Sequence, residues 1–281
     1  MSIDSIKLRD ALMRRIRAFF YERGFYEVET PIRVENPCME LNIDAEPSGK
    51  YYLRTSPELF HKKLLGAGFE KIFEIGKCFR RGELGPLHHP EYTMLEWYRS
   101  NADYIDILAD TKALVCAAWE ACPTDWKKLS VSDAFKEFAG WDPVGRYDEA
   151  LFDIDLVEKV EPALKNIGGP VVLIDYPIEV AALSRRKADN PLMAERWELY
   201  IDGIELANAY SELTDPVEQR RRFEECAAGR TALGKETYSI DESFIQALEN
   251  MPPAGGVALG VDRLLMIIDA ADSLDAVLPF R

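Results

Sequence analysis

Residues 197–213 read WELYIDGIELANAYSEL, and the Asp202-Gly203 pair at the centre constrains the fold more than any other dipeptide in the chain. Between alternating runs, Asp-Gly predicts a two-residue turn with positive φ at both positions, the geometry of a tight antiparallel hairpin. A register follows: Ile201 opposite Ile204, Tyr200 opposite Glu205, Leu199 opposite Leu206, Glu198 opposite Ala207. Glu198 and Glu205 then share a face as diagonal neighbours, their Cα atoms roughly 7–8 Å apart. Two carboxylates so placed repel unless a cation lies between them, and one or two carboxylates plus phosphate oxygens are what Mg²⁺ takes. The pattern alone reads equally well as a solvent-facing hairpin with two ordinary glutamates. Asn208 and Glu212 have the opposite parity, so they join that face only if a bulge falls near Ala207–Ala209.

A second pair of strands carries an odder pattern. Read as a strand, HHPEYTMLEWY (88–98) points Tyr92, Met94, Glu96 and Tyr98 one way and Glu91, Thr93, Leu95 and Trp97 the other. Carboxylates fall on both faces, so neither is simply the wet side. KIFEIGKCFR (71–80) also alternates, and the glycine-containing loop 82–87 makes the two runs an antiparallel pair, with Arg80 facing the space of Tyr92 and Glu96.

Around these pairs, residues 5–23 have helical spacing (Leu8, Leu12, Ile16, Phe19) and stop at Gly24. FYEVETP (25–31) reads as a strand, 37–50 as loop, YYLRT (51–55) as a short strand, and Pro57 opens a helix through Leu65. Helices are expected over 103–121, through most of 126–168, and from Pro216 to about Ala228, with a buried strand at VVLIDYP (171–177). GGVALGVDRLLMII (255–268) reads as strand, glycine turn and helix. Amides at that helix start and Arg263 in its first turn suit a polyphosphate, an ordinary strand-to-helix connection being the plain alternative. No linker or repeat interrupts the chain. The expectation is one domain over 1–281, a mainly antiparallel sheet flanked by helices, of the α+β class.

Composition removes several function classes. With 281 residues, 47% of them hydrophobic, a full core is expected. No apolar run reaches membrane-spanning length and the N-terminal segment is charged, so a cytoplasmic protein without a membrane partner is expected. A net charge of −15 argues against broad binding to nucleic acid. The basic runs at 184–187 and 220–222 read as solvated faces. The cysteines, Cys38, Cys78, Cys116, Cys122 and Cys226, show neither zinc-ligand nor redox-motif spacing and are expected to be reduced and mostly buried.

Three stretches together resemble the ordered motifs of class II aminoacyl-tRNA synthetases: YERGFYEVETP motif 1, CFRRGELGPLHHPEYTMLEWY motif 2, and GVALGVDR motif 3. RTSPELFHKKLL and IELANAYSELTD are similar to the lysyl-tRNA synthetase catalytic domain. TMLEWYR, ELAN and GVALGVDR more particularly resemble the elongation factor P–(R)-β-lysine ligases, stand-alone paralogues of that domain. Because the sequence begins almost at motif 1, no anticodon-binding domain is expected, and tRNA is an unexpected partner.

The resemblance implies the site. Arg80 and Arg263 would be the catalytic cations, on the α-phosphate with the substrate carboxylate and on the γ-phosphate. ATP would lie against Arg80, Arg81, Gly82, His88, His89, Tyr92, Glu205, Leu206, Gly260 and Arg263, with Tyr92 stacking on adenine. Ser56, Pro57, Glu58, Glu96, Tyr98, Asn208, Glu212 and Ala258 would surround β-lysine, and Glu198 and Glu205 would carry Mg²⁺. The acceptor would be a lysine of elongation factor P, and motif 1 would form a homodimer. Ala258 stands where lysyl-tRNA synthetases have glycine, so its methyl would crowd an α-amine and spare a β-amine. Three positions depart from the family pattern: Gly82 in place of a motif 2 glutamate, His89 in place of asparagine, and Ala209 in place of glycine. Two other readings fit the same motifs: a stand-alone ligase or synthetase using another amino acid or acceptor, and a non-catalytic amino-acid-binding paralogue.

Overall fold

A computed structural model describes residues 3 to 280. Its strands are mainly antiparallel and flanked by helices, an α+β arrangement, and the chain divides into two compact units built from interleaved segments. Among the described residues one unit comprises 3–101, 214–254 and 260–280, the other 102–213 and 255–259.

In the first unit, strand Lys71–Phe79 lies between Tyr26–Glu27, parallel to it, and Glu91–Ser100, antiparallel to it. The register sets Cys78 opposite Tyr92 and Glu74 opposite Glu96. The strand begins at Glu91 rather than His88, since Pro90 has no N–H for a ladder. Both of its faces are covered, which accounts for the mixed pattern. Helix Ile3–Glu22 covers one, its Phe20 stacked on Phe73 at 4.5 Å and tilted against Trp97 at 5.3 Å. Helix Glu58–Gly66 lies over the other, with His61 edge-on to Tyr98 at 5.1 Å. FYEVETP is strand only at Tyr26–Glu27. Part of the expected 37–50 loop is strand: Glu46–Ser48 pairs with Tyr51–Leu53, which also pairs with Arg33–Val34.

The second unit orders its strands Ala254–Gly260, Ile204–Ser211, Met193–Ile201, Pro170–Pro177 and Lys127–Ser130, antiparallel except for the last pair. Helices Val131–Phe138 and Glu161–Ile167 pack on Val171, Leu173, Tyr176 and Tyr200. Phe152 stacks on Phe135 within that core. Helix Tyr104–Ala118 starts at a capping box, Asp103 accepting from the Asp106 N–H while Asp106 accepts from the Asp103 N–H.

The turn is as the Asp-Gly pair predicts, with φ of 51° at Asp202 and 79° at Gly203. The register holds at Ile201–Ile204 and Tyr200–Glu205 and then shifts: Leu199 faces Ala207, and Asn208 rather than Ala207 faces Glu198. The bulge lies between Glu205 and Ala207, just before the stretch where parity required one, so Leu206 has no cross-strand partner and Asn208 joins the Glu198 face.

Neither basic run is an open patch. Arg185 pairs with Glu195 and Lys187 with Asp175, while Arg220 pairs with Glu242 and Arg221 and Arg222 with Glu218. Of the cysteines only Cys38 and Cys78 are buried; the other three are half-buried, fewer buried than the sequence suggests. Among the described residues no helix is long and apolar enough to cross a membrane.

Candidate active site

In the first unit the site is organised around Glu96. Its carboxylate is buried, and it accepts from the Ser56 hydroxyl at 2.7 Å and the Tyr98 phenol at 2.9 Å. Ser56 also accepts from the Glu58 N–H at 3.0 Å, which ties the helix start after Pro57 to the strand. Behind Glu96 lies His61, fully buried, its Nδ1 3.7 Å from Glu96 and its Nε2 3.0 Å from Glu74. Glu74 also accepts from Thr30 at 2.7 Å and pairs with the buried Arg54 at 2.7 Å. Glu58 pairs with the buried Lys62 at 2.5 Å. Burial alone would push the His61 imidazole down, but Glu74 and Glu96 more than reverse this and lift it above the ordinary range. Burial opposes charge on Glu74, yet His61 and Arg54 hold it below the usual carboxylate value. Glu58, Glu74 and Glu96 thus share this space with Arg54, Lys62 and the raised imidazole of His61, and burial, opposed by Lys62, pushes the Glu58 carboxyl up.

Arg80 follows the Lys71–Phe79 strand, its N–H bonded to the Pro90 carbonyl at 2.9 Å, and its guanidinium lies 5.3 Å from the centroid of the Tyr92 ring. The Tyr92 phenol donates to the Thr55 carbonyl at 2.7 Å, and burial holds it above the usual range. Arg81 is exposed, but its N–H donates to the Asp44 carbonyl. Gly82 adopts φ of 79°, a left-handed turn that the family's glutamate would strain to adopt. The loop closes through paired backbone bonds between Gly85 and His88. His88 Nε2 lies 2.8 Å from Arg263 Nη2, and Arg263 Nε donates to the Leu87 carbonyl at 3.3 Å. His89 Nδ1 lies 2.8 Å from the Glu91 carbonyl. Arg263 therefore stands on the motif 2 loop. Its helix, Val261–Ile268, opens at Gly260 and is fixed by Asp262, which accepts from Arg9 at 2.5 Å and from the Thr93 N–H at 2.7 Å.

In the second unit the two hairpin carboxylates differ. Glu198 is buried and accepts from Tyr176 at 2.6 Å, Tyr200 at 2.8 Å and Arg196 at 2.5 Å. Burial first, and Glu198 after it, hold both phenols protonated and donating. Glu198 is thereby an anchor of the sheet, and its donors take most of the lone pairs a metal would need. Glu205 is half-buried, across from Tyr200, with Leu206 buried beside it. Among the described residues no cluster of three or more His, Cys, Asp or Glu side chains is placed to hold a metal ion. Asn208 faces Ala258 on its other side, and both are half-buried. Asn208 Nδ2 donates to Tyr210 at 3.1 Å, while its buried Oδ1 has no partner among the described residues. Glu212, buried, lies just past the strand, where it bridges to Ser184.

Arg54 and His61 lie within RTSPELFHKKLL and Asp262 within GVALGVDR, but no role was read for them or for Glu74 from the sequence. The one signal was the i, i+4 spacing of Glu58 and Lys62 on a helix.

Residues 2–281 match the family model of class II tRNA synthetases (D, K and N). The chain belongs to that family. It is 37% identical over 316 residues to the lysine–tRNA ligase of Carboxydothermus hydrogenoformans, covering 96% of this chain and 64% of that protein. It is 35% identical to the enzyme of Lactiplantibacillus plantarum (99% and 64%) and 36% identical to that of Thermotoga maritima (99% and 63%). The chain thus spans just under two thirds of these relatives' length. The motif 1, 2 and 3 stretches all lie inside the matched region.

Proposed function

We propose that the chain is an ATP-dependent, AMP-forming ligase that adenylates (R)-β-lysine and transfers it to a lysine side chain of elongation factor P. The observation that carries this reading is the geometry at Glu96: a buried carboxylate aligned by the Ser56 hydroxyl and the Tyr98 phenol, with His61 behind it. A substrate ammonium would pair with that carboxylate. In adenylation the substrate carboxylate attacks the α-phosphate directly and pyrophosphate leaves, so no protein nucleophile is required. Arg80 holds the α-phosphate and the substrate carboxylate, Arg263 the γ-phosphate, and the chemistry rests on alignment and charge. Tyr92, stiffened by its bond to Thr55, presents a ring for adenine to stack on. Mg²⁺, when bound, would neutralise phosphate charge. Glu205 with phosphate oxygens is the set that suits it, whereas Glu198 is committed to its three donors. The lysine ε-amine of the acceptor then attacks the acyl carbon and AMP leaves. A homodimer built on the motif 1 helix accompanies this reading.

ATP–pyrophosphate exchange across a panel of amino acids tests it. Exchange is expected with β-lysine, and more weakly with α-lysine. Exchange only with an unrelated amino acid would move the chain to another ligase, and none with any amino acid would make it a binding paralogue.

A further inference from the structure

Cys116 and Cys122 look unrelated in sequence, six residues apart across the end of a helix. The fold brings them together. Helix Tyr104–Ala118 ends where Trp119 turns to extended backbone, and the Cys122 N–H closes a turn onto the Trp119 carbonyl at 3.0 Å. That turn folds Cys122 back over the last helical turn, leaving its Sγ 2.8 Å from that of Cys116. The turn is pinned from beyond as well: Trp126 Nε1 donates to the Pro123 carbonyl at 3.0 Å, and Lys112 Nζ to the Thr124 carbonyl at 3.2 Å. Both cysteines are free thiols and only half-buried, so a small oxidant reaches them, unlike the buried Cys38 and Cys78.

We infer that Cys116 and Cys122 are a redox-active dithiol that closes reversibly to a disulfide by exchange with a low-molecular-weight disulfide such as oxidised glutathione. Moving the sulfurs roughly 0.8 Å closer reaches bonding distance. In the first step one thiol, as its thiolate, attacks a glutathione sulfur, forming a mixed disulfide and releasing one glutathione thiolate, which takes up the proton. In the second the neighbouring thiol attacks the protein-side sulfur of that mixed disulfide and releases the second glutathione. Two protein thiols are oxidised by two electrons, and one glutathione disulfide is reduced to two thiols.

The surroundings say which step is slow. Burial first, and the bond to Cys116 second, push the Cys122 thiol up to about 12, with Lys112 opposing only weakly. Attack by Cys122 in the first step is therefore slow. The second is intramolecular between sulfurs already in contact, so the mixed disulfide does not accumulate. Because Trp126 and Lys112 only partly offset burial, the reduced form has little charge stabilisation to lose on closure. A metal site is the competing use of a thiol pair, but among the described residues no third ligand completes one. The pair sits on a bracing element: the same helix begins at Tyr104, whose N–H is held by Ser211 and whose carbonyl accepts from Trp197, both in the hairpin strands.

The test is full-length protein, carrying Cys226→Ser to remove the remaining accessible thiol, incubated with oxidised glutathione and analysed by intact and peptide mass spectrometry. The expected result is loss of two hydrogens, with one bridge mapped between Cys116 and Cys122, and full recovery of both thiols on adding dithiothreitol. Adding Cys116→Ser, with folding checked by circular dichroism, is expected to trap a glutathione adduct on Cys122. Stable glutathione adducts on both cysteines of the unsubstituted pair, or no reaction of either thiol, would overturn the inference.

Discussion

Gly76→Ala is the substitution in which a single methyl tests the buried network. Gly76 lies mid-strand at an ordinary negative φ, opposite Met94, so its backbone accepts alanine. Propensity alone favours the change by about 0.5–1 kcal/mol. The added Cβ, however, would stand 2.1 Å from Arg54 Nη2 and 3.0 Å from Glu74 Oε1. Arg54 cannot swing aside without loss. Its Nε donates to the Lys77 carbonyl at 3.0 Å, its Nη1 to Thr30 Oγ1 at 2.6 Å, and its Nη2 pairs with Glu74 at 2.7 Å. Overpacking a core costs about 1–3 kcal/mol, and stranding one partner of a buried ion pair about 3–5 kcal/mol. Partial displacement falls between these, and after the propensity gain the expected net loss is about 2–4 kcal/mol. The assay is urea unfolding, read as a lower midpoint at unchanged slope. In an Arg54→Ala background the obstacle is gone, so the same methyl should be neutral or stabilising by up to about 1 kcal/mol, a non-additivity of 2 kcal/mol or more. An unchanged or raised midpoint for Gly76→Ala in the native background would refute the view that Arg54 is fixed.

The remaining expectations concern charge and substrate choice. Because the folded-state value of His61 is raised, its contribution is full below the ordinary imidazole range and is lost as pH rises through the raised value. Glu74, with a lowered value, contributes fully above the carboxylate range and loses it as pH falls. His61→Gln should therefore remove the alkaline decline in unfolding free energy, and a variant whose pH profile matches the native one would place His61 outside the linkage. Glu198→Gln should lower stability by about 3–5 kcal/mol through its buried partners. Glu205→Gln should instead shift stability by less than about 1 kcal/mol while raising the Mg²⁺ needed for pyrophosphate exchange, and equal thermal shifts for the two would undo that division. Ala258→Gly should raise the α-lysine to β-lysine ratio of kcat/KM by about tenfold or more, and equal slowing of both substrates would reduce Ala258 to packing.

What the sequence showed and what it hid divide along physical lines. Asp202-Gly203 was legible because a turn with two positive φ values is a local demand that few residues meet, and local demands leave local signatures. The ordered motifs were legible because three stretches match a family pattern in order, and all three fall within the matched residues 2–281. The bulge at Leu206 was not, because where an extra residue slips into a ladder is decided by packing on both sides of the sheet. Its consequence for the site is large: it turns Asn208 toward Glu198 and Ala258. How the Glu96 network joins was hidden for a different reason. Its members come from five places, Thr30, Arg54, Ser56–His61, Glu74 and Glu96–Tyr98, and nothing in the local pattern distinguishes a glutamate that will be buried among donors from one that will face water. Glu91 and Glu96 stand on the same strand, yet the first pairs with Lys77 at the surface and the second is enclosed. The resemblance therefore named Ser56, Glu58, Glu96 and Tyr98, while Thr30, Arg54, His61 and Glu74 behind them emerged only from the fold.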